Sequence, residues 1–173
     1  DANTTAGANV AVGYAALTAN TTGANNTAIG TGTLESNTTT SNNTALGTNA
    51  LEDNIADNNT AIGKDALLQN TTGTRNVGIG ASALKTITTA SYNTGVGNDV
   101  LGANTTGASN TAVGDQALGA NTTGGTNVAV GMEALKSNTT ASENVSVGVE
   151  SMEDNTTGAS NVAMGYRALR ANT

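Results

Sequence analysis

A glycine returns ten times along this chain at a nearly constant interval: Gly13, Gly30, Gly47, Gly63, Gly80, Gly97, Gly114, Gly131, Gly148 and Gly165. The step is 17 residues throughout, apart from the 16 that separate Gly47 and Gly63. The surroundings repeat with it, as Asn-[Thr/Val]-Ala-[Val/Ile/Leu]-Gly-x-x-Ala-Leu-x-x-Asn-Thr-Thr-Gly-x-x. A short fixed period over the whole length specifies stacked units, because a unit this small cannot bury an apolar face alone. Residues 1–173 therefore read as a single repeat array of about ten coils.

Each unit is numbered here from its first asparagine: Asn9, Asn26, Asn43, Asn59, Asn76, Asn93, Asn110, Asn127, Asn144 and Asn161. Position 4 is always aliphatic, from Val12 to Met164, and position 3 is always small. Position 9 is leucine in every unit except at Met152. Such a coil is too short for a helical hairpin repeat, which needs about 30 residues or more. It suits one turn of a parallel β-solenoid, with two short strands and two turns. Positions 1–5 are predicted to form the first strand, and positions 8–11 the second, with the alanine and leucine of the latter on opposite faces. At about 4.8 Å per coil the rod would be roughly 50 Å long.

Strand one has two dry faces, a large one at positions 2 and 4 and a small one at position 3. Two dry faces need two covers. Either the small side packs inside a flattened coil and the large side meets neighbouring chains, or the reverse. Both point to a homo-oligomer with its axis along the rod.

The invariant glycine at position 5 reads as a backbone device, either a turn with positive φ or a close approach of a neighbouring strand. A phosphate-binding loop would need one glycine-rich turn before one helix, not ten copies. The asparagines at position 1, and those at position 12 (Asn3, Asn20, Asn37, Asn54, Asn70, Asn104, Asn121, Asn138, Asn155 and Asn172), are expected to stack as amide ladders along the rod. The ten asparagines of position 1 and the ten glycines of position 5 are thus structural. Two units depart from the pattern, at Asn54-Ile55-Ala56-Asp57 and at Ile87-Thr88-Thr89; a bend or a binding site would explain them, but they read first as drift.

The chemistry of a common enzyme is missing. There is no His and no Cys, so zinc sites and the usual nucleophile–base pairs are excluded. The acids Glu35, Glu52, Asp53, Asp65, Asp99, Asp115, Glu133, Glu150, Glu153 and Asp154 occupy variable outward positions and read as solubilising charges. Asp53 with Asp57 forms no dense calcium loop, and the acids do not recur in the fixed pairs a glycoside hydrolase needs. No catalytic, cofactor or metal residue is assigned. A net charge of −7 with no basic stripe argues against nucleic acid. No apolar run is long enough to cross a membrane. Eight Asn-Thr-Thr triplets match the N-glycosylation sequon, which in a bacterial or viral protein is an accident of the repeat. Both ends fall in mid-repeat, so we expect a piece of a longer exported protein.

At its Asn-x-Ala-[Val/Ile]-Gly-x-x-Ala core the chain resembles the head repeats of YadA-type trimeric autotransporter adhesins and related repeats of phage and prophage tail fibres. Asn26-Thr27-Ala28-Ile29-Gly30 and Asn127-Val128-Ala129-Val130-Gly131 with Ala134 carry the likeness, which extends over all ten units. Family heads have a shorter coil, and the Asn-Thr-Thr-Gly turn departs from them. The resemblance implies a left-handed parallel β-roll, three chains about one axis, and an extracellular fibre on a cell surface or virion that adheres to a host surface, matrix or glycan. It implies no catalytic residue.

The leading expectation is thus a non-enzymatic adhesive rod that displays positions 6, 7, 10, 11, 16 and 17 for multivalent contact. Tyr14, Lys64, Arg75, Tyr92, Tyr166 and Arg167 are its candidate display residues. The alternative is ice binding by a lone solenoid through the threonine ladders at positions 13 and 14, with Thr21, Thr38, Thr71, Thr88, Thr105, Thr122 and Thr139 on one side. Against it, the two threonines of each turn are adjacent and would point to opposite faces in an extended chain.

Overall fold

A computed structural model of the protein describes residues 6–172, so the expected ladder residue Asn3 lies outside the described residues. Ten strands of three residues follow in chain order: β1 (Val10–Val12), β2 (Thr27–Ile29), β3 (Thr44–Leu46), β4 (Thr60–Ile62), β5 (Val77–Ile79), β6 (Thr94–Val96), β7 (Thr111–Val113), β8 (Val128–Val130), β9 (Val145–Val147) and β10 (Val162–Met164). Each pairs in parallel with the next, so one ten-stranded sheet runs the length of a β-solenoid. Position 2 always faces position 2 and position 4 faces position 4, as in Val77↔Thr94 and Ile79↔Val96. The register survives the short third unit, where Thr44 still pairs with Thr60. The missing residue is absorbed at a corner, away from the sheet.

The strand occupies positions 2–4, inside the expected 1–5. Its alternation resolves the two dry faces. Position 3 points inward and is sealed, with Ala28, Ala61 and Ala129 all at 0% exposure. Positions 2 and 4 point outward.

Among the described residues the expected second strand is absent. Positions 6–12 form consecutive turns instead. The reason is a left-handed backbone at positions 7 and 9, for example φ 59° at Glu133 and 52° at Leu135. An amide bond returns from position 8 to the position-5 carbonyl (Ala117 to Gly114, 3.3 Å), and another from position 12 to position 9 (Asn104 to Leu101, 3.1 Å). Positive φ at the third residue of the first turn is the type II signature. The kinks destroy the period of two, so alanine at 8 and leucine at 9 both face inward. Ala117 and Leu118 are each at 0% exposure. Leucine in this conformation costs roughly 1–2 kcal/mol, which its full burial, worth about 1.5–3 kcal/mol, offsets.

The glycine at position 5 is required twice over. Gly97 has φ 145°, and a Cβ there would lie 2.4 Å from the Gly114 carbonyl oxygen of the next coil. The core is accordingly thin. Small residues at positions 3 and 8 and leucine at 9 fill one part, and buried asparagines fill the rest.

Candidate functional site

The position-1 asparagines form one internal ladder. From Asn26 to Asn161, the backbone amide of each donates to the side-chain Oδ1 of the asparagine one coil earlier, at 2.8–3.0 Å. In most coils Nδ2 donates to the position-15 carbonyl of the same coil, as from Asn26 to Thr40 at 2.8 Å and from Asn110 to Gly124 at 2.9 Å. Asn93 differs, bonding Asn76 Oδ1 and the Ser91 carbonyl at 3.3 Å each. The side chain thus ties the start of the coil to its final corner and to the coil below.

A second ladder runs through position 12. Nδ2 of Asn121 donates to Asn104 Oδ1 at 2.9 Å, and Nδ2 of Asn138 to Asn121 Oδ1 at 2.9 Å. Each also reaches its own position-15 carbonyl, Gly124 at 2.9 Å and Ala141 at 3.0 Å. Both units that break the sequence pattern interrupt this ladder. At the short unit, the Thr40 hydroxyl donates to Asn37 Oδ1 in place of the next asparagine. At Ile87 nothing substitutes, and Asn70 Oδ1 is left buried without a partner. The sequence signal for this vacancy was the missing asparagine itself.

The two threonine ranks of the Asn-Thr-Thr corner differ. At position 13 the hydroxyls of Thr21, Thr71, Thr88, Thr105, Thr122 and Thr139 donate to the position-13 carbonyl of the next coil, at 2.9–3.4 Å. Thr38, which faces the short unit, is exposed. The position-14 threonines, such as Thr72, Thr89, Thr106 and Thr123, are exposed. Of the two ranks, the outward one is therefore at 14, because the corner turns the position-13 hydroxyls along the rod.

The outer sheet face carries two in-register ranks: Thr or Val at position 2, and Val, Ile, Leu or Met at position 4. Ile29 is 37% exposed, Leu46 42% and Val113 37%, each in the interior of the array. Position 4 thus makes a continuous aliphatic strip along the sheet, flanked at position 2 by threonine in five strands and valine in five.

The expected display residues lie outside the core, but on different sides. Tyr14 and Tyr166 sit beside the sheet, at position 6. Arg167 lies 4.9 Å above the Tyr166 ring and pairs with Glu150 at 2.6 Å. Lys64 pairs with Asp65, whose carboxyl is held below its ordinary range by that hydrogen bond. Arg75 and Tyr92 occupy position 17 in adjacent coils: Nη1 donates to the phenol oxygen at 2.8 Å, and the guanidinium lies 5.4 Å from the ring centre. Among the described residues, no group of three or more acids could hold a metal ion, and no helix is long and apolar enough to cross a membrane. Comparison with family models, with curated proteins and with solved structures finds no match to this chain.

Proposed function

We propose that this chain is a segment of an extracellular homo-oligomeric fibre, a non-enzymatic rod whose copies associate through the outer sheet face and whose remaining sides carry adhesive contacts. The observation that carries the reading is the aliphatic strip of position 4 with its threonine and valine flank at position 2. Monomeric soluble proteins rarely expose apolar patches larger than a few hundred Å², and this one is flat, regular and continuous. A second copy presents the same strip along the same axis, so the cover is self-complementary. The likeness to YadA-type heads supplies the count of three chains, the left hand of the roll, and the setting on a cell surface or virion. The two internal asparagine ladders and the stacked backbone give the stiffness such a fibre needs.

Attachment is multivalent. Weak contacts repeated at each coil add without any single strong site. A host surface, matrix or glycan is the receptor class, and no cofactor is involved.

The experiment is to place charge in the middle of the strip, as Ile79→Glu with Val96→Glu. The wild-type protein is expected to sediment as an oligomer and the double variant as a folded monomer with the same circular dichroism. A wild-type monomer that depresses the freezing point of water would overturn the fibre reading in favour of ice binding.

A further inference from the structure

We propose that the exposed position-17 rank of the rod binds a carboxylate-bearing glycan chain, centred on Arg75 and Tyr92. This deepens the fibre reading and rests on it.

Position 17 is a rank unlike the sheet face. Asn25, Asn42, Asn58, Arg75, Tyr92 and Ser109 hold it in six successive coils, all exposed. Each has positive φ, between 58° and 63°, which fixes the same backbone geometry at every corner. From Asn25 onward the rank contains no aliphatic residue. It offers amides, a guanidinium, a phenol and hydroxyls, which are the groups that meet sugar hydroxyls. Among the described residues the Asn58 side-chain amide, which is exposed, has no hydrogen-bond partner. Thr72 and Thr89, in the same two coils as Arg75 and Tyr92, add exposed position-14 hydroxyls. Coils spaced about 4.8 Å apart match the length of one pyranose residue in an extended polysaccharide, so successive sugars meet successive coils.

Arg75 selects the charge. Lys64, Lys136, Arg167 and Arg170 all have carboxylate partners. Lys85 makes no ion pair either, but it lies close enough to Asp65 to help hold that carboxyl low. Arg75 has no carboxylate partner among the described residues, although the chain carries a net charge of −7. Its partner is Tyr92, whose phenol oxygen accepts one of its N–H groups at 2.8 Å, with the guanidinium 5.4 Å from the ring centre. A planar fork held this way matches a carboxylate through its free N–H groups. The nearest acid of the corner, Asp57, accepts from the Ser41 backbone amide at 2.6 Å and so reaches back one coil, away from Arg75. Glu143 lies three coils beyond Tyr92 and is bonded to Ser160 at 2.9 Å.

The test titrates the whole chain with an α-1,4-linked oligogalacturonate, with a neutral malto-oligosaccharide and a sulfated dextran oligomer as comparators. Saturable binding of the galacturonate is expected, stronger than of either comparator. Arg75→Gln should weaken it by about tenfold or more, the loss of a charge-assisted bond, and Tyr92→Ser should weaken it too. Lys85→Gln, a charge removed elsewhere, should leave it unchanged. Melting temperatures of the variants should match the wild type, because both side chains are exposed. No galacturonate binding, equal binding of all three sugars, or an unaffected Arg75→Gln variant would overturn the proposal. Parallel measurements of mass and adhesion separate this from the fibre reading. An oligomeric wild type that adheres to a surface as well after Arg75→Gln overturns the glycan site alone. A monomeric wild type overturns the fibre itself.

Discussion

Replacing Ile87 by asparagine is expected to leave the rod as stable as before or more so, although Ile87 is fully buried. The loss is the transfer of a buried isoleucine, about 2–3 kcal/mol. Against it stands the orphaned Asn70 Oδ1, whose stranding costs about 1–3 kcal/mol. The neighbouring coils show where the introduced amide would bond. One Nδ2 hydrogen would meet Asn70 Oδ1, as Asn121 meets Asn104 at 2.9 Å. The other would meet the Ala90 carbonyl, which already accepts from Asn76 at 2.8 Å, just as Gly73 accepts from both Asn59 and Asn70. The new Oδ1 would accept from Asn104. The second and third bonds contribute about 1 kcal/mol each. The sum favours the variant by about 1 kcal/mol. An isoleucine-to-asparagine change in a sealed core without such partners would instead cost about 4 kcal/mol or more. The assay is urea unfolding at one fixed protein concentration, because any association shifts apparent stability. The reverse change, Asn121→Ile, recreates the defect by stranding Asn104 Oδ1 and should cost about 2 kcal/mol or more. A destabilisation above about 2 kcal/mol for Ile87→Asn would refute the ladder argument.

Gly97→Ala should destabilise by about 3 kcal/mol or more, since it combines a disfavoured φ with a carbonyl at 2.4 Å; thermal melting checks it. Asp65, lowered by its hydrogen bond with Lys64, contributes stability that is present above the unfolded carboxylate value and lost as pH falls through the folded one. Melting measured from neutral to acid pH should therefore fall less steeply for Asp65→Asn. Glu52 is raised by burial and by Asp53, Glu35 and Asp65, so its ionised form opposes folding. Glu52→Gln should gain about a few tenths of a kcal/mol at neutral pH, and the gain should vanish once acid protonates the wild-type carboxyl. The sequon asparagines of position 12, such as Asn121, are sealed at 0% exposure with the side chain bonded on both sides. Folded chain treated with an oligosaccharyltransferase should show no added mass at Asn121, whereas unfolded chain should accept the glycan.

The period and its aliphatic residue made the coils and the first strand legible, because an in-register apolar position has no other simple use. The inward side of that strand was open in sequence. It is the alanine side, since position 9 already fills the coil with leucine and leaves room only for a methyl group opposite. The second strand was misread because its signal, alanine next to leucine, assumes extended backbone. Nothing in Leu118 or Gln116 announces the left-handed φ of 53° and 54° that each adopts; stacking on identical neighbours imposes it. The same corner geometry separates the threonine ranks. In an extended chain Thr71 and Thr72 differ only by face, but in the turn Thr71 lies along the rod and donates to Thr88. Ile87 read as drift, and its consequence emerged only once Asn70 had a fixed neighbour. The partner of Arg75 could not be read at all, because Tyr92 is 17 residues away and meets it only through stacking.

The association of copies through the outer sheet face is tested most directly by the solution mass of the wild-type protein, measured by light scattering across a range of concentrations. A mass near three times the 16.9 kDa of one chain is the expected result. A folded species that stays at 16.9 kDa at every concentration would contradict it, and would mean that the strip of positions 2 and 4 faces water.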